Sequence, residues 1–489
     1  MRRPLLASFS LRKCAPALAF VAPYVLVAIA CSSASSSDGG GAVTPGENTD
    51  GGGAGDGEAR FDALAPPPAA KGDPCRGVPL PSDQHFVPAG MCASLVATNL
   101  KAFRQITFAP NGDLFGVDAT GAIKRLRDED GDGFFQAGEI TSYATTGGNG
   151  NNAHIDVTGG YIYAGTPNGV KRFPYSPTTT TGGAGEVVIS DQPTGGHSKH
   201  TVHVYDGFMY VHSGSSDNYS SPNGAAYDDD RSLIRRFDLS KYAPGTPMPW
   251  LSGEIVTHGL RNANGFTKNA AGRMYAVVNG MDNISYAGTD VHGDNPGEQV
   301  VEIAPGKKYG FPFCFTAQRV VVGGNVIAAG TQLARVGSAH DDAWCAAESS
   351  QPATFVQAHT APLDITFFDS HPQGALPERY RGGAFVAMHG SWNRSPATGY
   401  KVVWIPFDAS GKAPMPTSTP TSTTFPYETV LGGGDTSGAK DGPWTWTGEG
   451  GYADAPRFAG VAVSPVDGAL YASSDESGYL YRVGARPPK

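Results

Sequence analysis

Along most of the chain the apolar positions come in short alternating runs, cut off by Gly, Asn, Asp or Pro before a helical period can build up. That pattern predicts half-buried β-strands joined by tight turns. One phrase recurs: an alternating strand, a turn holding Gly, Asn or Asp, and a second strand with a central Tyr, Phe or Val. Six copies begin at Phe103, Ala153, Lys199, Ala263, Ala361 and Arg457. A four-stranded antiparallel blade cannot cover both its faces, so copies spaced tens of residues apart imply radial stacking. The expected class is all-β, a six-bladed β-propeller, with long inter-blade insertions where the spacing widens among the fourth, fifth and sixth copies. A pair of sheets packed as a sandwich is the alternative for so many short strands.

The ends of the chain follow other rules. Arg2, Arg3, Arg12 and Lys13 precede an apolar stretch from Ala15 to Ala30, the order of a secretory signal. Ala28-Ile29-Ala30-Cys31 resembles a bacterial lipobox, in which the cysteine is acylated and becomes the first mature residue. The expected organisation is therefore a lipoprotein signal over 1–30, a Ser/Gly/Asp-rich tether over 31–65 and the propeller over 66–489. It places the protein outside the cytoplasm, lipid-anchored to the outer membrane on its periplasmic or cell-surface side. An ordinary cleaved signal or a retained apolar anchor is the alternative. Four cysteines remain after Cys14 and Cys31: Cys75, Cys92, Cys314 and Cys345. Their even number in an exported chain suggests two disulfides, with sequence order favouring Cys75 with Cys92 and Cys314 with Cys345, although spacing alone does not choose among the pairings.

The counts of 66 glycines and 38 prolines agree with a turn-rich body, and a net charge of −9 with scattered basic residues leaves no footprint for nucleic acid. More telling is what stands at the start of each repeat. Arg104, His154, His197 with His200, Arg261 with Asn262, His359 and Arg457 all fall at or just before a strand expected to line the central channel, so they converge on one rim. Any one of them reads as an ordinary solvated side chain. Six in register suggest a site for a flat or multi-carboxylate ligand, because guanidinium forks around one cleft would repel each other without an anion to share. Imidazoles among them supply proton acceptors near neutral pH, which suits oxidation of an alcohol.

The segment from Asp128 to Glu139 matches the D-x-D-x-D-G-x5-E calcium loop, with Asp128, Asp130, Asp132, Phe134 through its carbonyl, Gln136 and Glu139 as ligands and Gly133 at the turn. Strand-like flanks make it a staple at the end of the first blade. Trp444, Trp446 and Tyr452 form either a sugar-stacking platform or, more simply, an apolar lid contact.

Five blocks carry a family likeness: GGHSKHTVHVYDGFMYVHSGSSDN, GLRNANGF, DNPGEQVVEIAPGKKYGFPFC, AHTAPLDITFF with RGGAFVAMHGSWNR and GYKVVWIPF, and RFAGVAVSPVDGALYASSDESGYLYRV. With these the body, from about Cys75 onward, resembles the glucose/sorbosone dehydrogenase family of quinoprotein propellers. The resemblance implies pyrroloquinoline quinone (PQQ) lying flat over the channel mouth, Ca2+ polarising its carbonyls, and a histidine taking the proton of a sugar or polyol hydroxyl. His197 matches the base, Arg261 and Asn262 the pair touching cofactor and substrate, and Arg394 a cofactor-carboxylate arginine. The carbonyls of Asn295 and Pro296 match the calcium turn, and Tyr309 and Phe311 an aromatic wall. Arg104, His359 and Arg457 complete the expected cofactor shell. His200 stands where the family has arginine, Asp364 where it has glycine, and Phe311 where it has tryptophan. His389 and then His359 therefore stay open as alternative bases. With C-x-x-C-H absent, electrons leave to a separate acceptor. A calcium-dependent lactonase and a non-catalytic binding propeller are the rival readings.

Overall fold

The computed structural model describes residues 75–80, 85–100, 102–148, 155–198, 200–220, 223–369, 375–433 and 456–486. The signal, Cys31, the tether, His154, Trp444, Trp446 and Tyr452 lie outside them. Six sheets of four or five strands, antiparallel except for a short parallel edge strand in the second and third, follow one another along the chain. Their innermost strands are Ile106–Phe108, Ile155–Thr158, Val202–Tyr205, Asn262–Lys268, Pro362–Phe367 and Phe458–Val463, one in each of the six repeats read above. We number the blades 1 to 6 in that order.

The alternation that predicted strands also explains how blades pack. Each blade turns one apolar row to each neighbour, and a buried cluster fills each of the six inter-blade spaces. Between blades 1 and 2, for example, Phe115, Val117 and Tyr143 meet Ile162, Ala164 and Phe173. The largest excursions leave from inside a blade: residues 304–353 run between the third and fourth strands of blade 4, Glu298–Ile303 and Thr354–Val356. They carry the helix Asp342–Glu348, capped by Asp341, and the disulfide Cys314–Cys345.

The ring closes across the two ends of the described chain. Blade 6 takes its outer strand, Met91–Ala97, from the N-terminal side, paired antiparallel with Tyr479–Ala485 so that Met91 faces Ala485. All seven residues of that strand are buried. The disulfide Cys75–Cys92 fastens the preceding segment to it. Both disulfides thus follow sequence order.

Candidate functional site

The first strands of blades 4, 5 and 6 each carry a register shift at their start, between Asn262 and Gly265, Pro362 and Asp364, and Phe458 and Gly460. Such bulges re-aim side chains at the end of a strand. At Gly460 a Cβ would lie 2.4 Å from the Arg104 carbonyl oxygen, so only glycine lets blades 6 and 1 approach there. The result is a buried knot at the channel mouth. Asp475 forms an ion pair with Arg104, whose Nε lies 2.7 Å from one oxygen, and accepts from His389 Nε2 at 2.8 Å on the other. Arg457 donates from Nε and Nη2 to His389 Nδ1 at 3.2 and 3.0 Å. Burial would raise the Asp475 carboxyl, but the His389 hydrogen bond and the charges of Arg104 and Arg457 bring it down to about 2.

Across the mouth, Asp282 is the hub. Arg261 Nη2 donates to Asp282 Oδ2 at 3.2 Å and to Asn218 Oδ1 at 2.9 Å, and Asn393 Nδ2 reaches Asp282 Oδ1 at 3.3 Å. His359, held at φ 65°, in the left-handed region that favours glycine, donates from Nε2 to the His292 carbonyl at 2.6 Å and turns Nδ1 toward Asp282 at 3.7 Å. His292 accepts the Asn283 N–H at Nδ1 and donates from Nε2 to the Asn393 carbonyl. Arg394 donates to the Gly293 carbonyl at 2.7 Å and to Asp294 at 3.3 Å. Beneath them Glu298 accepts the Gly280 and His359 N–H groups, and burial pushes its carboxyl up to about 8.

His197 sits on the loop into blade 3, at the level of Arg261. A Cβ on Gly214 would lie 2.3 Å from the His197 carbonyl oxygen and 3.2 Å from that of Arg261. Glycine there lets the segments that carry the histidine and the arginine pass close to each other. His197 Nδ1 lies 2.8 Å from Ser215 Oγ, and that hydroxyl donates its only hydrogen to the Asp217 carbonyl. Ser215 must therefore accept from His197, which places the imidazole hydrogen on Nδ1 and the lone pair on Nε2. His200 is fully buried against the Thr166 carbonyl.

The ring of cations differs from its expected state in one respect: its guanidinium groups already have carboxylate partners, except Arg457, which among the described residues meets His389 and the Gly390 carbonyl. Asp475 serves Arg104 and His389, Asp282 serves Arg261, and Asp294 serves Arg319 and Arg394. Mutual repulsion is thus no argument for an anionic ligand. A different observation is. Arg261 Nε, Asn262 Oδ1, Asn264 Oδ1 and Asn393 Oδ1 are buried with no hydrogen-bond partner among the described residues. A buried polar atom left so costs about 1–3 kcal/mol, so their clustering at one mouth marks a place built for a polar ligand: the Arg261 guanidinium and its neighbours suit carboxylates, and the three amide oxygens, which only accept, suit hydroxyl or N–H groups of a ligand.

Tyr309 and Phe311 are 2% and 5% exposed and form no open wall. Tyr309 Oη donates to the Glu302 carbonyl, Phe311 packs with Met281 and Phe315, and the space they share with Arg261 is about 20 Å³, too small for a ring system. The exposed aromatic beside the site is Trp392, at 73%. The Asn295 side chain is consumed by the Gln318 and Arg319 N–H groups and the Val291 and Arg319 carbonyls, which leaves main-chain carbonyls of Asn295 and Pro296 to meet a cation. In the acidic loop Asp128, Asp130 and Glu139 bring ligand oxygens within 4.8 Å of one another. Asp132 instead accepts the Phe134 N–H and the Gln136 side-chain amide.

Residues 86–486 match the family described as TrAA12-like. A pyrroloquinoline quinone-dependent pyranose dehydrogenase of Coprinopsis cinerea is 28% identical over 356 residues, 69% of this chain and 47% of its own length, so the chain spans about half of that relative. A pyrroloquinoline quinone-dependent sugar dehydrogenase of Hypocrea jecorina is 29% identical over 68% of this chain and 76% of its own. Among solved structures, the holo pyranose dehydrogenase PQQ domain of Coprinopsis cinerea superposes with a TM-score of 0.69 at 26% identity, covering 83% of this chain and 98% of that one. The calcium structure of the Trichoderma reesei family AA12 protein gives the same score and coverage at 25% identity. The repeat, the mouth and these likenesses agree, and over most of its length the chain belongs to the TrAA12-like family.

Proposed function

We propose that this chain is a PQQ-dependent dehydrogenase of sugars or polyols that passes its electrons to a separate acceptor. The observation that carries the reading is the cluster of buried, unsatisfied polar atoms at Arg261, Asn262, Asn264 and Asn393, set among guanidinium groups and within one propeller mouth with His197. Arg104, Arg261, Asn262, Arg394 and Arg457 hold the cofactor carboxylates and ring oxygens, with His359 behind them. The bound quinone supplies a two-electron acceptor for the carbinol hydrogen. His197 takes the hydroxyl proton at Nε2, the nitrogen left with the lone pair by Ser215, and Ser215 keeps the ring oriented while it does so. Substrate class rests on the names of the relatives, pyranose and sugar dehydrogenases.

Calcium belongs to this proposal at two places: the carbonyls of Asn295 and Pro296 near the quinone, and the loop of Asp128, Asp130 and Glu139. At the loop its role is structural. Chelation is expected to lower the unfolding midpoint by roughly 5 °C, the size expected when a site is emptied that had been filled far above its dissociation constant. Asp130→Asn should abolish most of that response in differential scanning calorimetry, and an unaltered midpoint in the wild type removes calcium from the loop.

The reading as a whole is tested by adding PQQ and calcium to apo-protein and following dye reduction over pyranoses, keto-aldoses and polyols. A quinone absorbance that stays with the protein and turnover on at least one sugar are expected. Neither appearing would leave a propeller that binds without catalysing.

A further inference from the structure

The knot that joins blades 1, 5 and 6 determines which nitrogen of His389 carries the hydrogen. A guanidinium can only donate, and Arg457 meets Nδ1 from two of its nitrogens, at 3.2 and 3.0 Å. An ionised carboxylate can only accept, and Asp475 Oδ1 meets Nε2 at 2.8 Å. The lone pair therefore lies on Nδ1 and the hydrogen on Nε2. Protonating Nδ1 would turn one N–H against another. The second oxygen of Asp475 is ion-paired with Arg104, whose Nε lies 2.7 Å away, and a further Arg457 hydrogen bond runs to the Gly390 carbonyl at 3.1 Å. Asp475, Arg457 and Arg104 are the charged groups that bear on the imidazole.

From this wiring we propose that His389 and Asp475 are positioning residues. A neutral imidazole extends the carboxylate to the Arg457 guanidinium, so one Asp475 side chain holds Arg104 of blade 1 and Arg457 of blade 6 in place at the mouth. The proposal rests on the reading of that mouth as the quinone site, where these two guanidinium groups hold carboxylates. It also takes His389 out of the proton transfer, because its lone pair is engaged by Arg457. Hydrogen bonds in such a chain polarise one another, so the Nδ1 acceptor is stronger than that of an isolated imidazole. Desolvation, opposed by Asp475, brings His389 down to about 4, in keeping with a ring that stays neutral.

The test begins on apo wild-type protein labelled with 15N. Long-range 1H–15N spectra should show His389 as the Nε2–H tautomer, without titration from about pH 5 to 8, the range in which an ordinary histidine changes charge. An Nδ1–H tautomer, or titration in that range, overturns the proposal whether or not quinone binds. The second measurement is PQQ affinity by fluorescence titration. Asp475→Asn keeps an acceptor for His389 but loses the charge that pairs with Arg104, and should weaken binding by about tenfold or more. His389→Ala should do the same, and His389→Gln, whose amide also has one donor and one acceptor, should recover most of the loss. If the wild type binds quinone and all three variants bind it equally, the positioning role is overturned. A wild type that binds no quinone overturns the proposed function instead, and the tautomer spectra still decide the wiring.

Discussion

With His197 replaced by asparagine, turnover should fall by about 10²- to 10⁴-fold, the contribution of a positioned general base, while PQQ still binds. Asparagine keeps a donor for Ser215 Oγ, which the Nδ1–H now supplies, and removes only the ring atom that bears the lone pair. The experiment thus separates proton acceptance from orientation. Steady-state kinetics on the reconstituted protein give kcat, and a quinone titration gives the affinity. A kcat within tenfold of the wild type would move the base elsewhere, and His359 would be next. That ring is less suited, since Nε2 is committed to the His292 carbonyl and Nδ1 faces the Asp282 carboxylate.

The second large effect is expected at Arg261. Its truncation to alanine should weaken PQQ by about 2 kcal/mol or more, some thirtyfold, because a buried, charge-assisted contact is lost. Arg261 is 7% exposed, and burial lowers its pKa against the opposing charge of Asp282. One nitrogen, Nη2, serves both Asn218 and Asp282, which leaves the other guanidinium nitrogens to face a ligand, a second grip that the single ammonium of lysine lacks. Part of the loss would come from leaving Asp282 without its cation. The double variant Arg261→Ala with Asp282→Ala resolves this: recovery of affinity assigns the effect to the orphaned carboxylate, and no recovery assigns it to the missing grip. Unchanged affinity in the single variant removes Arg261 from the site.

The ring architecture was legible because period-two alternation and a repeated turn phrase survive in every blade. Less legible was the strand Met91–Ala97, a mostly apolar run broken only by Ser94 and with no partner phrase beside it, because its partner lies at the far end of the chain. The first halves of the site pairs were visible at the starts of the inner strands; their counterparts Asp475, Asp282 and Asp294 were not. A signal for some of them existed. In an antiparallel blade the end of the second strand returns to the mouth, as Asn262 facing Asn279, Pro362 facing Met388 and Phe458 facing Ser474 show. The residue at or just past that end is Asn279 in blade 4, His389 in blade 5 and Asp475 in blade 6. Reading both ends of each hairpin would have found the carboxylate that tames Arg104. Asp282 and Asp294 sit in an irregular stretch of blade 4, where no period constrains them.

The clasp between the early strand Met91–Ala97 and the last hairpin has a consequence for biosynthesis. Cys92 lies opposite Gly484 in that pairing, 392 positions away in sequence. A ribosome delivers the first member of that pair long before the second, so blades 1 to 5 must wait with an open seam until the final segment emerges. Contacts of such long range slow folding, and an uncovered strand edge invites strangers. Loss of even a short C-terminal piece should therefore unseal the whole wheel rather than trim one spoke.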